Sequence, residues 1–443
     1  MLLHNLRIAW KSMQRNRTLS FLIVLGIALG IALSTTFAAA RHAFARNPLP
    51  AKTKVLRYVR LDSWDPQKAY PGDGANTVPT QVTYRDMTEI MKSKIPARQT
   101  GTFKTMLYVF PDPKVSRPFK ETIRVCFADF FPMFATPFRY GAAWDAKADA
   151  AGEPVAVISK EMNEKLFGGA DSVGKIVRLE DRDFRVVGVL DDWTPSLTIY
   201  DLTQNRGVGA PENIFISFAW WRPMNLRTFG NSDGWGPSPA QRGIEGVMVS
   251  EQTWIQMWVE LADAEAVAAY RSFLDAYALE QRRHGRFLRP LNNRLSSIPE
   301  LMDDFRVVPR EANTLLVVSL LFLAICSLNL VGLLLGKFLA RAPEVGVRRA
   351  LGASRLDIFV QHIIECEVIG IVGGLLGLAL SAAGIAFLNA VMKTQGGRPG
   401  FFQLDAPMVG LSVLLALAAG FVAGAYPAWR TCQLPPALHL KVF

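Results

Sequence analysis

The chain has 443 residues, half of them hydrophobic, with 20% charged residues and a formal net charge of +11. That length and a positive mean hydropathy exclude one small uniform globule and imply long apolar blocks joined to a polar domain. Four cysteines, with Cys126 alone between residues 41 and 313, exclude a secreted disulfide-built scaffold.

Residues 1–18 form a basic leader holding Arg7, Lys11, Arg15 and Arg17 and no acid. Leu3, Leu6, Trp10 and Met13 recur at helical spacing, largely off the line of the cations. The pattern predicts an amphipathic helix lying along the inner membrane surface. Residues 19–40 (LSFLIVLGIALGIALSTTFAAA) follow as the first predicted span. The FAAA before Arg41 is also what a signal-peptide cleavage site looks like, but the leader is long and the apolar run reaches a full span. A retained span is therefore the reading.

Residues 41–313 contain no second run of that kind and are long enough for a sizeable α+β core, read as two lobes. The clearest part is β-α-β-β: PVAVIS, then KEMNEKLFG, then KIVRLEDRDFRVVGVL around a polar turn at residues 180–183. Residues 194–250, rich in Gly, Pro, Asn and Trp, read as an irregular excursion. There Trp220, Trp221 and Trp235 serve either packing within the domain or anchoring of a partner or the membrane edge, and packing is preferred. Residues 263–281 predict a helix with Val267, Tyr270, Phe273, Leu274 and Tyr277 on one face.

Three more spans follow at residues 314–336, 363–391 and 407–427, with a short loop at 392–406 between the last two. The connection at residues 337–362 carries Lys337, Arg341, Arg348, Arg349 and Arg355 against Glu344 and Asp357. The tail, residues 428–443, carries Arg430 and Lys441 and no acid. The positive-inside rule then places the leader, this connection and the tail in the cytoplasm, and residues 41–313 outside. The positive charge is thereby largely a topology signal, and nucleic acid is not an expected partner.

No catalytic or metal constellation is found. The stretch from Gly169 to Ile176 (GADSVGKI) approaches a phosphate-binding loop, but Ile176 replaces the hydroxyl and the stretch follows a helix into a strand. The five histidines make no HExxH. His362 and Glu365 share a helical face and read as a solvated pair at headgroup level. Asp191–Asp192 and Asp303–Asp304 are acidic pairs without catalytic neighbours. In the spans, Gly26 and Gly30 form a small-xxx-small pair suited to packing or dimerisation, and Asn329 is expected to hydrogen-bond to a neighbouring helix.

The segment EVGVRRALGASR, starting at Glu344, reads as a short helix. Pro343 and Glu344 suit its start and Gly352 its end, while Val345, Val347 and Leu351 offer apolar contacts. Its surroundings, LNLVGLLLGKFLARAPEVGVRRALGASRLDIFVQHIIE, resemble the segment between the second and third spans of the MacB/FtsX-like ABC transporter permeases. GAYPAWRTCQLPPALHL is similar to that family's closing motif. FADFFPMFATPFRYGAAW and the β-α-β-β stretch resemble parts of its periplasmic domain, and NLRIAWKSMQRNRTLS its leading helix.

The resemblance implies four transmembrane helices with a large periplasmic α+β domain inserted between the first and second, in the bacterial inner membrane. It implies a coupling helix in which Glu344, Val345, Gly346, Val347, Arg348, Arg349, Leu351 and Gly352 meet a cytoplasmic ABC ATPase dimer. No ATP-binding segment is fused here, so a separate subunit is expected to use the ATP and Mg2+, and this chain to bind no cofactor and catalyse nothing. A second permease copy or paralogue, membrane lipid, and a periplasmic adaptor or outer-membrane channel are the other implied partners. Export or extraction of a periplasmic or membrane substrate is the leading function. Control of a periplasmic partner such as a cell-wall hydrolase is the alternative. Pro343 and the long 194–250 excursion depart from the family pattern.

Overall fold

The computed structural model describes residues 14, 17–71, 77–112, 117–203, 205–236, 241–394, 397–398 and 400–433. The amphipathic leader (residues 1–18) and the cytoplasmic tail (428–443) therefore lie largely outside the described residues. The chain forms two compact units: Asn47–Val307, and the segments on either side of it.

The first element among the described residues, α1 (Arg17–Ala45), belongs to the helical unit. Asn47–Val307 then runs β1 (Leu56–Arg60), β2 (Val82–Thr83), α2 (Tyr84–Ile90), β3 (Arg98–Phe110), β4 (Phe119–Cys126), α3 (Phe130–Met133), β5 (Phe138–Gly141) and α4 (Ala146–Ala151). It continues with β6 (Val155–Ile158), α5 (Lys160–Phe167), β7 (Ile176–Leu179), β8 (Arg182–Leu190), β9 (Ile214–Ser217) and α6 (Gly243–Val249). It closes with β10 (Thr253–Glu260), α7 (Ala264–Arg283), β11 (Arg294–Ser296) and α8 (Ile298–Asp304).

The strand order is β11-β1-β10-β3-β4-β9-β6-β8-β5, with β2 beside β10 and β7 joining β3 to β8. Strand β3 belongs to two layers. Its first residues pair with β10, and from Phe103 onward it pairs with β4. Because β7 pairs with both β8 and β3, strands β3, β4, β9, β6, β8 and β7 close into a ring. Only β4–β9 and β6–β8 are parallel in that ring.

Local chemistry sets the element ends. Ser159 accepts from the Met162 N–H to start α5, and Gly168, at φ 74°, ends it in the left-handed conformation. The segment resembling a phosphate loop follows, so it leaves one helix and opens none. Asp263 caps α7, and Ser297 with Glu300 makes a capping box for α8. At the core, Trp254, Trp258 and Phe103 are fully buried. The edge-on Phe103–Trp254 contact has centroids 4.8 Å apart.

The 194–250 excursion is not wholly irregular. Ile214–Ser217 forms β9, fully buried between β4 and β6. A strand covered on both faces is a short apolar run without alternation, and that hid it in the sequence. All three tryptophans are held within the unit. Trp221 is buried against Tyr84 and Trp254, while Trp220 and Trp235 donate to the carbonyls of Glu153 and Ser63.

The helical unit is completed by α9 (Arg310–Leu339), α10 (Ala342–Ala350), α11 (Arg355–Thr394) and α12 (Ala406–Cys432). α1, α9, α11 and α12 are each long and apolar enough to cross a membrane. α1 is the central post, packed against the other three. At 40 residues, α11 is roughly 60 Å long and outreaches a bilayer's hydrocarbon core. A Cβ at Gly377 would sit 2.9 Å from the Ala28 carbonyl oxygen, so only glycine allows α11 this close to α1. Thr35 and Ser412 hydrogen-bond at 2.8 Å between α1 and α12.

Candidate functional site

The segment around EVGVRRALGASR folds as α10, with Pro343 in its first turn beside Glu344, and Arg348 and Arg349 in its last. Each charge lies at the end of the helix dipole that favours it. Gly352, at φ +103°, takes the chain out of the helix. Two residues later Ser354 and Asp357 bond reciprocally across the start of α11. The two helices are thus joined by a short, fully capped turn.

α10 has two faces. Ala342, Val345 and Gly346 are buried, and Val345 packs with Ile358 and Cys432. Pro343, Glu344, Val347 and Gly352 are exposed, and Leu351 and Leu356 are 82% and 68% exposed. The eight residues expected to meet a partner therefore separate. Val345 and Gly346, both expected as contact residues, are buried inside the chain. Val345 turns toward α11 and α12, whereas Val347 and Leu351 are exposed.

The arginines are tied back as well. Arg348 donates to Gln361 Oε1 at 2.9 Å and to Glu344 Oε1 at 3.3 Å, and Arg349 donates to the Cys432 carbonyl at 3.3 Å. The exposed residues here are Glu344, Val347, Leu351, Gly352 and Leu356, together with charged Arg355 and Asp357.

His362 and Glu365 are not solvated. They are 3% and 1% exposed. Glu365 meets Lys337 Nζ at 2.8 Å and Arg341 NH1 at 3.3 Å, and His362 lies on the Phe338 ring with centroids 4.1 Å apart. Cations from α9 and from the turn after it satisfy the carboxylate, so water is not needed.

Gly26 and Gly30 pack within the chain. A Cβ at Gly30 would lie 3.0 Å from the Leu323 backbone, and one at Gly26 3.9 Å from Leu330. Their face packs against α9, closely at Gly30. Asn329 is exposed on α9, and among the described residues none bonds its amide, so the expected interhelical bond is not seen there. Gly332 and Gly336 lie three and seven residues farther along the same face, and a Cβ on either would meet open space.

In Asn47–Val307 the most concentrated chemistry is a buried ion cluster. Arg124, fully buried, pairs with Glu212 and with Asp201 at 3.0 Å, and Lys104 stands 3.5 Å from Asp201. Tyr200 donates to Glu212 at 3.1 Å. Burial alone would raise the Asp201 pKa, but the Arg124 and Lys104 charges outweigh it and hold the carboxyl below its ordinary value. Burial, and secondarily the Asp149 charge, push the Cys126 thiol well up, which makes it a poor nucleophile. The acidic pairs meet cations: Asp192 meets Lys160, and Asp304 meets Arg60 and Arg294. Among the described residues no three His, Cys, Asp or Glu side chains gather as a metal site.

Comparison with known proteins follows this architecture. A family model described as MacB-like periplasmic core domain matches residues 20–277, and one described as FtsX-like permease C-terminal matches residues 316–436. The pyoverdine export ATP-binding/permease protein PvdT of Pseudomonas aeruginosa is 24% identical, over 99% of this chain and 58% of its own length. The macrolide export ATP-binding/permease protein MacB of Chromobacterium violaceum is 23% identical, over 97% of this chain and 59% of its own. The chain thus spans less than two thirds of the length of these relatives. Among solved structures, the periplasmic region of MacB from Actinobacillus actinomycetemcomitans is 11% identical, with a TM-score of 0.35 over 57% of this chain and 94% of that one.

Proposed function

The chain belongs to the MacB/FtsX-like ABC transporter permeases, and from that premise we propose that it couples a separate cytoplasmic ATPase to movement of its periplasmic domain. In this reading it is an inner-membrane protein with Asn47–Val307 inserted between α1 and α9 on the periplasmic side. α10 and both termini face the cytoplasm. Tyr426 and Trp429, both half-exposed near the end of α12, suit the inner headgroup layer.

One observation carries the proposal: α10 is fixed to the bundle on one face, and on the other Val347, with Leu351 just beyond, is left uncovered. A Leu351 side chain left 82% exposed, with Leu356 68% exposed at the start of the next helix, suits a surface that is covered in use. Burying it is worth about 1.5–3 kcal/mol. The ATPase docks there, and ATP-driven closure of an ATPase pair moves α10 with its flanking spans. The periplasmic unit then performs the work, which is export or extraction of a periplasmic or membrane substrate. The names of the relatives, both exporters, support that direction.

A closing ATPase pair needs two permeases. The α9 face with Asn329, Gly332 and Gly336 supports a second copy as partner. An amide carries both donor and acceptor, so two copies related by a two-fold axis can satisfy one another, and the glycines allow close approach.

Co-purification in mild detergent tests the docking. Wild-type chain should bring down an ATP-hydrolysing subunit, and Leu351→Asp should lose it while keeping its own fold. Equal recovery with both chains would refute the docking surface.

A further inference from the structure

α9 and α11, the helices on either side of α10 in sequence, each pack along their length on α1 and α12 and not on one another. They meet at their ends next to α10. Lys337, fully buried in the last turns of α9, reaches Glu365 on α11 at 2.8 Å, as a charge contact and not an aligned hydrogen bond. Arg341, just ahead of α10, donates to the other carboxylate oxygen at 3.3 Å. One turn away, Phe338 of α9 lies on the His362 ring, whose two nitrogens are buried without hydrogen-bond partners. Arg348 of α10 holds Gln361 of α11. A single carboxylate thus answers two cations, one from α9 and one from the α9–α10 turn, where the three helices converge.

Helix packing alone does not call for this arrangement. Apolar side chains of similar volume hold helices together at least as well as a buried ion pair. What the charges add is register: Lys337 and Glu365 meet at one axial position, and sliding either helix separates two buried charges.

We propose that Glu365 is the positioning residue that makes α9, α10 and the start of α11 move as one body. Force applied at α10 then reaches both flanking spans together. The inference rests on the reading that α10 is the ATPase-docking helix, and it assigns Glu365 no contact with the ATPase.

The test uses the full chain in lipid nanodiscs, with the ATPase that co-purifies, and three variants. These are Glu365→Gln, the charge exchange Lys337→Glu/Glu365→Lys, and the apolar pair Lys337→Met/Glu365→Met. Hydrogen exchange across residues 340–352 and the ATP-driven distance change between labelled periplasmic units are read. Glu365→Gln should exchange about 100-fold faster in this segment, because losing one partner of a buried pair favours local opening. It should keep the ATPase bound and hydrolysing while losing most of the distance change. Charge exchange should restore both readouts only in part, because the lysine placed at 365 then faces Arg341.

The apolar pair should recover thermal stability without recovering the distance change. Full recovery of that change would reduce the pair to packing and overturn the inference, as would wild-type behaviour of Glu365→Gln. The exchange readout needs no ATPase, so its failure is distinguishable from failure of docking: no ATPase on the wild-type chain overturns the docking reading alone.

Discussion

Replacing Arg124 by methionine should destabilise the periplasmic unit more than almost any other single change in it. Arg124 is fully buried and faces both Asp201 and Glu212, themselves 4% and 8% exposed. Removing it leaves two carboxylates with Lys104 as the remaining nearby cation, 3.5 Å from Asp201. Breaking a buried pair by deleting one partner costs about 3–5 kcal/mol. At roughly 2–4 °C per kcal/mol for a unit of this size, melting should fall by about 10 °C. Eight of the ten tryptophans lie in residues 47–307, so intrinsic fluorescence of the full chain in detergent reports this unit.

The effect should also depend on pH. The folded-state pKa of Asp201 is depressed. Its contribution is therefore present above the unfolded carboxylate value, about 3.9, and is lost as pH falls through the folded value. The variant removes the main charge that depresses it, so the gap between wild type and Arg124→Met should narrow from pH 7 toward pH 4.5. The triple change Arg124→Met/Asp201→Asn/Glu212→Gln should recover much of the loss. A drop under about 2 °C for Arg124→Met, or a gap that widens in acid, would refute the assignment of an ionic core.

Other substitutions separate roles within the helical unit. Leu351→Ala should weaken ATPase binding by about tenfold in a pull-down titration, since it removes most of a leucine's burial energy, and should leave melting unchanged. Val345→Asp should instead lower the melting temperature, because it puts a charge among Ile358 and Cys432. Gly377→Val should destabilise the bundle by about 1–3 kcal/mol through collision with α1, seen as reduced thermal stability in nanodiscs. Gly332→Leu and Asn329→Leu should leave that stability intact while weakening self-association in a cross-linking or fluorescence-transfer titration, Asn329→Leu by roughly 1–2 kcal/mol. Unchanged self-association in both would remove α9 from the pair interface.

Which features were legible in the sequence follows from how local their causes are. The α5–β7–β8 unit is readable because Ser159, Gly168 and the Glu180 turn act on residues within a few positions. The apolar helices are readable by length alone. β9 is not, since a four-residue strand buried on both faces lacks alternation and sits in a Trp- and Pro-rich setting. Nor is the Arg124 cluster, whose partners lie 77 and 88 residues away.

Direction around a helix is the other hidden quantity. Val345 and Val347 look alike in EVGVRR, yet two residues turn a helix by roughly 200°, so one anchors and the other is exposed. The same ambiguity turned Asn329 outward and Gly30 inward. Lys337 and Glu365 each carried a signal, a charge at the end of an apolar run, but their pairing needed the fold.

The central claim, that ATP hydrolysis by a separate subunit moves the periplasmic unit, is tested most directly by distance measurement in nanodiscs. A spin label at exposed Glu265, on α7, reports the separation between two copies of that unit. With the co-purified ATPase, ATP plus vanadate should shift the distance distribution relative to the nucleotide-free complex, and Leu351→Asp should abolish the shift. An identical distribution with and without nucleotide, in a complex that hydrolyses ATP, would contradict the account.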